Sequence, residues 1–212
     1  MKKSYEIMHG NKITARIHTQ GQCVIYEPDF MPYNLFLDDT EEDIDTLVSN
    51  ITNFYYWCAS RMLTLDRKYV KEILNSIGAV QAMTDRERAQ IALAYRCVSL
   101  MDIYWVREEG DNITFDQINL YENHLDNAFV EVALRGKQMS VQNESLARDL
   151  FTRGCFPKAW VRREQGFQLL KDGDKAAVEN EILASKVCQC FRCSQVLYQA
   201  VSYTHLTLPT IA

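Results

Sequence analysis

Two charged side chains late in the chain have the types and spacing for phosphate chemistry. Lys171 closes an apolar run, Phe167–Leu170, and Glu181 follows in a segment with helical spacing. A strand-end ammonium can contact phosphate oxygens as a point charge, and a carboxylate on the next helix can fix that ammonium in place. On spacing alone the simpler account is stronger: a strand-end lysine in water and a helix carboxylate serving solubility.

Positioning these groups requires a strand, a turn and a helix. Ala159–Arg163 and Phe167–Lys171 are extended runs joined by Glu164-Gln165-Gly166, which predicts a hairpin. Asp172-Gly173-Asp174 breaks the second strand. Val178, Ile182, Leu183 and Val187 then recur at helical spacing, with Glu181 in the first half of that helix near the small residues Ala184 and Ser185. Gln195–Tyr198 reads as another strand.

A strand lysine facing a glutamate on the next helix is how protein kinases hold ATP phosphates. The stretch Gly154–Tyr198 resembles the N-terminal lobe of HipA-like kinases, serine/threonine kinases of the bacterial toxin–antitoxin type and their relatives. The resemblance is carried by Gly154-Cys-Phe-Pro-Lys158-Ala159, Leu169-Leu170-Lys171 and Val178-Glu179-Asn180-Glu181. It implies that a loop containing Gly154 and Lys158 covers the nucleotide phosphates and that Lys171 binds them. It makes Glu181 the partner of Lys171, with Glu179 as the alternative. It also implies ATP and Mg2+ as cofactors of an intact parent, an unidentified protein substrate, and room for an antitoxin-like partner. The family's phosphate-loop serine has no clear counterpart; Thr152 is only nearby.

Phosphoryl transfer also needs a catalytic-loop aspartate, its downstream asparagine and a metal-binding aspartate. No candidate for these follows, and Asp172 and Asp174 lie too early in the resemblance. Val201–Ala212 changes character, with three threonines in twelve residues and no continuing helix or strand period. It looks like translated adaptor read-through of the kind found at the ends of assembled metagenomic proteins. The expectation is a truncated kinase fragment with no catalytic or metal-binding residue assigned, inactive alone.

Composition sets the frame. The chain has 212 residues, 47% hydrophobic and 24% charged, enough for one or two domains with a real core. A net charge of −5 makes it a poor general nucleic-acid binder. No run approaches a membrane span, and the first residues lack an apolar signal core. Seven cysteines without a secretory signal suggest reduced thiols and a cytoplasmic location. Cys188, Cys190 and Cys193 invite a zinc reading. Cys188 and Cys190 would point in different directions at a helix end, and no second CxxC or histidine pair exists, so the structural account is stronger.

In chain order, Ser4–Leu37 is β-rich. Gly10-Asn11 marks a tight hairpin between Tyr5–His9 and Lys12–His18, Cys23–Tyr26 is a third strand, and Pro28 and Pro32 interrupt pairing. Thr40-Glu-Glu-Asp43 resembles a capping box. The helix behind it aligns Ile44, Leu47, Val48, Ile51, Phe54, Tyr55, Cys58 and Met62. Asp66 is placed to cap a short helix, Arg67–Ile77, closed by Gly78. Thr84-Asp-Arg-Glu87 is a better capping box, predicting a helix to about Trp105 with a buried second half. Arg86 and Arg88, interleaved with Asp85 and Glu87, read as a solvated face. Phe115–Leu134 predicts another helix, stopped by Gly136. On it Glu122 and Asp126 share a face while His124 points away. Lys137–Asp149 reads as a linker.

These readings make an α+β chain: a small N-terminal antiparallel sheet (1–38), a helical middle region of about four helices (39–136), a truncated kinase-like N-lobe of antiparallel sheet plus one helix (137–200), and the tail (201–212). The alternative function is a non-enzymatic interaction or regulatory module of a mobile element or phage. A DNA-binding regulator is weaker still, because no basic recognition helix appears.

Overall fold

A computed structural model describes residues 3–41, 43–76, 84–122, 156–164, 166–192, 196–201 and 206–210. The described elements are β1 (Ser4–His9), β2 (Lys12–His18), β3 (Cys23–Ile25), α1 (Ile44–Ser60), α2 (Val70–Ser76), α3 (Asp85–Ala94), β4 (Tyr104–Glu108), α4 (Phe115–Ile118), β5 (Lys158–Arg163), β6 (Gly166–Asp172), α5 (Lys175–Cys188), β7 (Leu197–Val201) and β8 (Leu206–Thr210). The fold is α+β with antiparallel sheets, as expected; each described sheet has four strands, and the first is completed by β4, from the stretch read as helical. The chain divides into two compact units, residues 1–63 with 81–123 and residues 64–80 with 124–212.

In unit 1 the sheet order is β3-β2-β1-β4. The Gly10-Asn11 hairpin forms as expected, with His9 opposite Lys12 and Gly10 at a φ of +58°. A glycine-first two-residue loop needs that left-handed backbone, which fits the twist of the strands. Ile7, Ala15 and Ile17 on one face of the sheet and Met8 and Trp105 on the other are fully buried, as is Phe54 of α1, which packs on Tyr5. Glu6 is only 4% exposed. It lies directly opposite Arg16 on β2 and Arg107 on β4, and both guanidinium groups donate to it, at 3.0 and 2.7 Å. Opposite charges across neighbouring strands stabilise the pairing.

Several expectations for this unit are corrected. Asp43, not Thr40, caps α1: its carboxylate accepts from the Asp45 and Thr46 amides, while Thr40 bonds Asp38. The helix buries Asn50, Phe54, Trp57 and Cys58 and leaves Ile44 and Val48 78% and 56% exposed. Asn50 outcompetes the apolar stripe because its amide ties down loop backbone at Gly21 and Asp38. Those carbonyls and amides would cost free energy if buried unpaired.

The Thr84–Glu87 capping box forms, but α3 ends at Ala94 rather than near Trp105. Arg96 and Cys97 both take left-handed backbone, with φ of +58° and +54°, and reverse the chain into β4. The Cys97 and Val106 amides are satisfied there by the Ala92 and Arg96 carbonyls. Arg88 is not simply solvated: it donates to the Ala59 and Leu63 carbonyls at the C-terminal end of α1. The helix predicted from Phe115 stops at Ile118, where Asn119 turns extended. Its continuation, with His124, Asp126 and Gly136, lies outside the described residues, as do Gly78 and the 137–149 linker.

In unit 2 the sheet order is β5-β6-β8-β7. The predicted β5–β6 hairpin forms, with Lys158 opposite Lys171 and Arg163 opposite Gly166. The short helix here is α2, beginning at Val70 rather than Arg67. The absence of a strand beyond Tyr198 is corrected: β7 runs to Val201, and β8 pairs with both β6 and β7.

Candidate functional site

The site is built where β6 hands over to α5. Asp172-Gly173-Asp174 ends the strand, and the Asp174 carboxylate accepts from the Ala177 amide at 2.8 Å, capping the helix. That use commits Asp174 to backbone. On α5, Val178, Glu181, Ile182 and Ser185 share a face at helical spacing and are at least partly shielded from solvent. Leu183 and Val187, predicted for the inner face, are instead 60% and 53% exposed. Ser185 is buried, and its hydroxyl accepts from the Tyr198 amide at 3.1 Å, tying β7 to the helix. An acceptor at that position does work that an apolar side chain could not.

Lys171 and Glu181 meet across this junction. The Lys171 ammonium donates to Glu181 Oε1 in a partly buried ion pair. Glu179, the alternative partner, lies on another face and pairs loosely with Lys175 at 3.8 Å. Glu181 Oε2 is buried and takes no hydrogen bond among the described residues. Phe156, Gly173 and Val178 join the ion pair in lining a small cleft. Its free volume is about 10 Å3, room for about one water molecule. A single phosphate oxygen fits that space; a whole nucleotide does not.

Lys158 begins β5 and is 7% exposed, so the structure places it in the sheet and not in an open loop. As the direct cross-strand partner of Lys171 it shares a face of the hairpin with that residue. Gly154, the other residue assigned to the phosphate loop, lies outside the described residues, as does Thr152. Arg67 is buried and donates to the Lys158 carbonyl, anchoring the start of β5. Sequence reading placed Arg67 at the head of a helix and could not find this role, because the contact spans a long separation and depends on a tertiary approach.

Cys188 and Cys190 are exposed at the end of α5, and Cys193 lies outside the described residues. Among the described residues no three histidine, cysteine, aspartate or glutamate side chains gather in a way that could hold a metal ion. No described helix is long and apolar enough to cross a membrane. Comparison with protein-family models, with curated proteins and with solved structures found no match.

Proposed function

We propose that the β5–β6 hairpin and α5 form the phosphate-holding part of a nucleotide site, in a chain derived from a HipA-like serine/threonine kinase. The observation that carries this reading is the Lys171–Glu181 ion pair at the edge of a cleft. Lys171 supplies a positive point charge at the cleft, and Glu181 holds it in position. Lys158, its cross-strand partner, adds positive charge on the same face of the hairpin. Bound ATP would supply the transferable phosphoryl group. The contribution of these residues is to bind and orient it, which is most of what protein groups do in this chemistry. Mg2+ enters no step assigned to the described residues, and the chain alone is expected to lack phosphotransferase activity.

The test is binding of a fluorescent ATP analogue to the 212-residue chain, read by anisotropy. Lys171→Ala should weaken binding about tenfold or more, the loss expected for one hydrogen bond to a charged group. Glu181→Gln should weaken it less. No saturable binding by the unaltered chain, or equal binding by Lys171→Ala, overturns the reading. The interaction-module reading would then take precedence. It draws on the exposed Ile44, Val48 and Tyr56 along α1 and on exposed Phe36 before it.

A further inference from the structure

Unit 1 carries a groove of about 440 Å3 that the nucleotide reading does not use. That volume lies within the range of small-molecule sites, about 300–1,000 Å3. Its walls come from three elements: Tyr5 at the start of β1, Tyr55 on α1, and Gln90 and Leu93 on α3. Lys3 and Glu108 stand at its rim.

The rim holds opposite charges side by side. Lys3 Nζ lies 2.6 Å from Glu108 Oε1, with the two side chains 48% and 57% exposed. The Lys3 ammonium also lies 5.2 Å from the Tyr5 ring centroid. Exposed ion pairs of this kind contribute little to stability, so a ligand carrying both charges can insert between them at small cost. The interior is aromatic and firm. Tyr5 packs on Phe54 at 5.5 Å between centroids, and Phe54 on Tyr55 at 5.7 Å. Leu93 adds an aliphatic surface, and the exposed Gln90 amide offers one donor group and one acceptor.

We propose that this groove binds a free amino acid with an aromatic side chain. Its α-carboxylate pairs with Lys3, its α-ammonium pairs with Glu108, and its ring lies against Tyr5, Tyr55 and Leu93. The adjacent opposite charges select a zwitterion over a simple anion or cation. The aromatic walls select a ring over a small aliphatic side chain, since stacked or edge-on aromatic pairs gain beyond their buried area.

The experiment is titration of the 15N-labelled 212-residue chain with L-tryptophan, followed by amide shifts. Indole tests the ring without the zwitterion, and glycine the zwitterion without the ring. L-tryptophan should give saturable shifts centred on Gln90, Leu93 and Glu108, and the two controls should bind at least tenfold more weakly. Lys3→Met and Glu108→Gln, both exposed changes, should each weaken L-tryptophan about tenfold, as loss of one charge-assisted contact predicts, with an unchanged thermal midpoint. No saturable shifts up to the solubility limit overturns the proposal. So does indole or glycine matching L-tryptophan, or unaltered affinity in both variants.

Discussion

An ion pair in each unit shows a different way of holding a charge. In unit 1 the buried ion pairs are made by arginines, and Arg61 has acceptors on every side of its guanidinium. Arg61 is 6% exposed; its guanidinium meets both oxygens of Asp102, at 2.7 and 3.1 Å, and also donates to the Cys97 and Tyr104 carbonyls. Glu6 is clamped between arginines on both neighbouring strands. In unit 2, where buried Arg67 anchors the Lys158 carbonyl, the ion pair at the cleft is made by Lys171. It meets one oxygen of its carboxylate, leaves the other unused, and sits across the hairpin from a second lysine. A planar fork saturated by fixed acceptors secures the chain it touches. A point charge at one side of a cleft stands where a ligand can reach it. That contrast separates an ion pair that serves the fold from the one proposed above to serve a ligand.

Breaking the first kind should have the largest effect. Arg61→Ala removes a buried cation that joins the end of α1 to the turn before β4. It should cost about 3 kcal/mol, the low end for opening a buried pair, because Asp102 is itself part-exposed and can be rehydrated. A urea melt reads this directly. A loss under 1 kcal/mol would place Arg61 among ordinary surface pairs and dissolve the contrast.

Two glycines sharpen it next. Gly21 and Gly166 both take left-handed backbone, with φ of +97° and +116°. A Cβ on Gly21 would run into the Leu47 carbonyl, whereas one on Gly166 meets nothing within 4 Å. Gly21→Ala should therefore cost well over 2 kcal/mol, combining backbone strain with a clash against main chain that cannot give way. Gly166→Ala should cost only the conformational part, about 1–2 kcal/mol. Equal melting shifts for the two would contradict the packing described at Gly21.

Glu181→Gln comes third. Its ion pair with Lys171 is partly exposed, so stability should fall by about 1 kcal/mol or less. Affinity for the ATP analogue should fall several-fold, since Lys171 loses its guide. A variant that loses stability heavily and binds nucleotide as before would turn the pair into a structural one, like Arg61–Asp102.

What was legible beforehand follows from how local each signal is. The Gly10-Asn11 and Glu164–Gly166 hairpins, the Thr84–Glu87 box and the opening of α5 each depend on a few consecutive residues, and each formed. The pairing of Lys171 with Glu181 was expected only through the family resemblance, with Glu179 as the alternative; spacing alone favoured two solvated side chains. The reversal at Arg96-Cys97 was not legible. Neither residue marks left-handed backbone in the way glycine does, and the apolar letters after them suit a buried helix as well as a buried strand. The inner face of α1 was misjudged for a related reason: hydrophobicity ranks Ile44 and Val48 above Asn50, while the loop backbone at Gly21 and Asp38 needs an amide. Arg61, Arg67 and Arg88 all do their work through carbonyls distant in sequence, and no spacing rule points to those.

The smallest effect concerns thiols, and it too divides the units. Cys188 and Cys190 of unit 2 are exposed, while Cys23 of unit 1 is tucked against the Asp38 carbonyl and the Asn50 amide. Burial pushes the Cys23 thiol up to about 11, with the Asp39 and Asp38 carboxylates adding to the rise. The unfolded chain ionises this thiol at about 8.5. Between those values the unfolded state has released a proton that the folded state keeps, so ionisation favours unfolding. Stability from this source is therefore complete below about pH 8.5 and declines as pH rises towards about 11. The thiol is about half-buried, so solvent screening keeps the change small. Tyrosines with raised values titrate in the same direction at higher pH, and comparison with Cys23→Ser removes their share. Urea midpoints at neutral and alkaline pH should fall less in that variant than in the unaltered chain. A thiol reagent at pH 8 should label Cys188 and Cys190 well before Cys23; simultaneous labelling would mean that the loop held by Asn50 opens readily, and unit 1 would lose its character as the closed partner in the comparison.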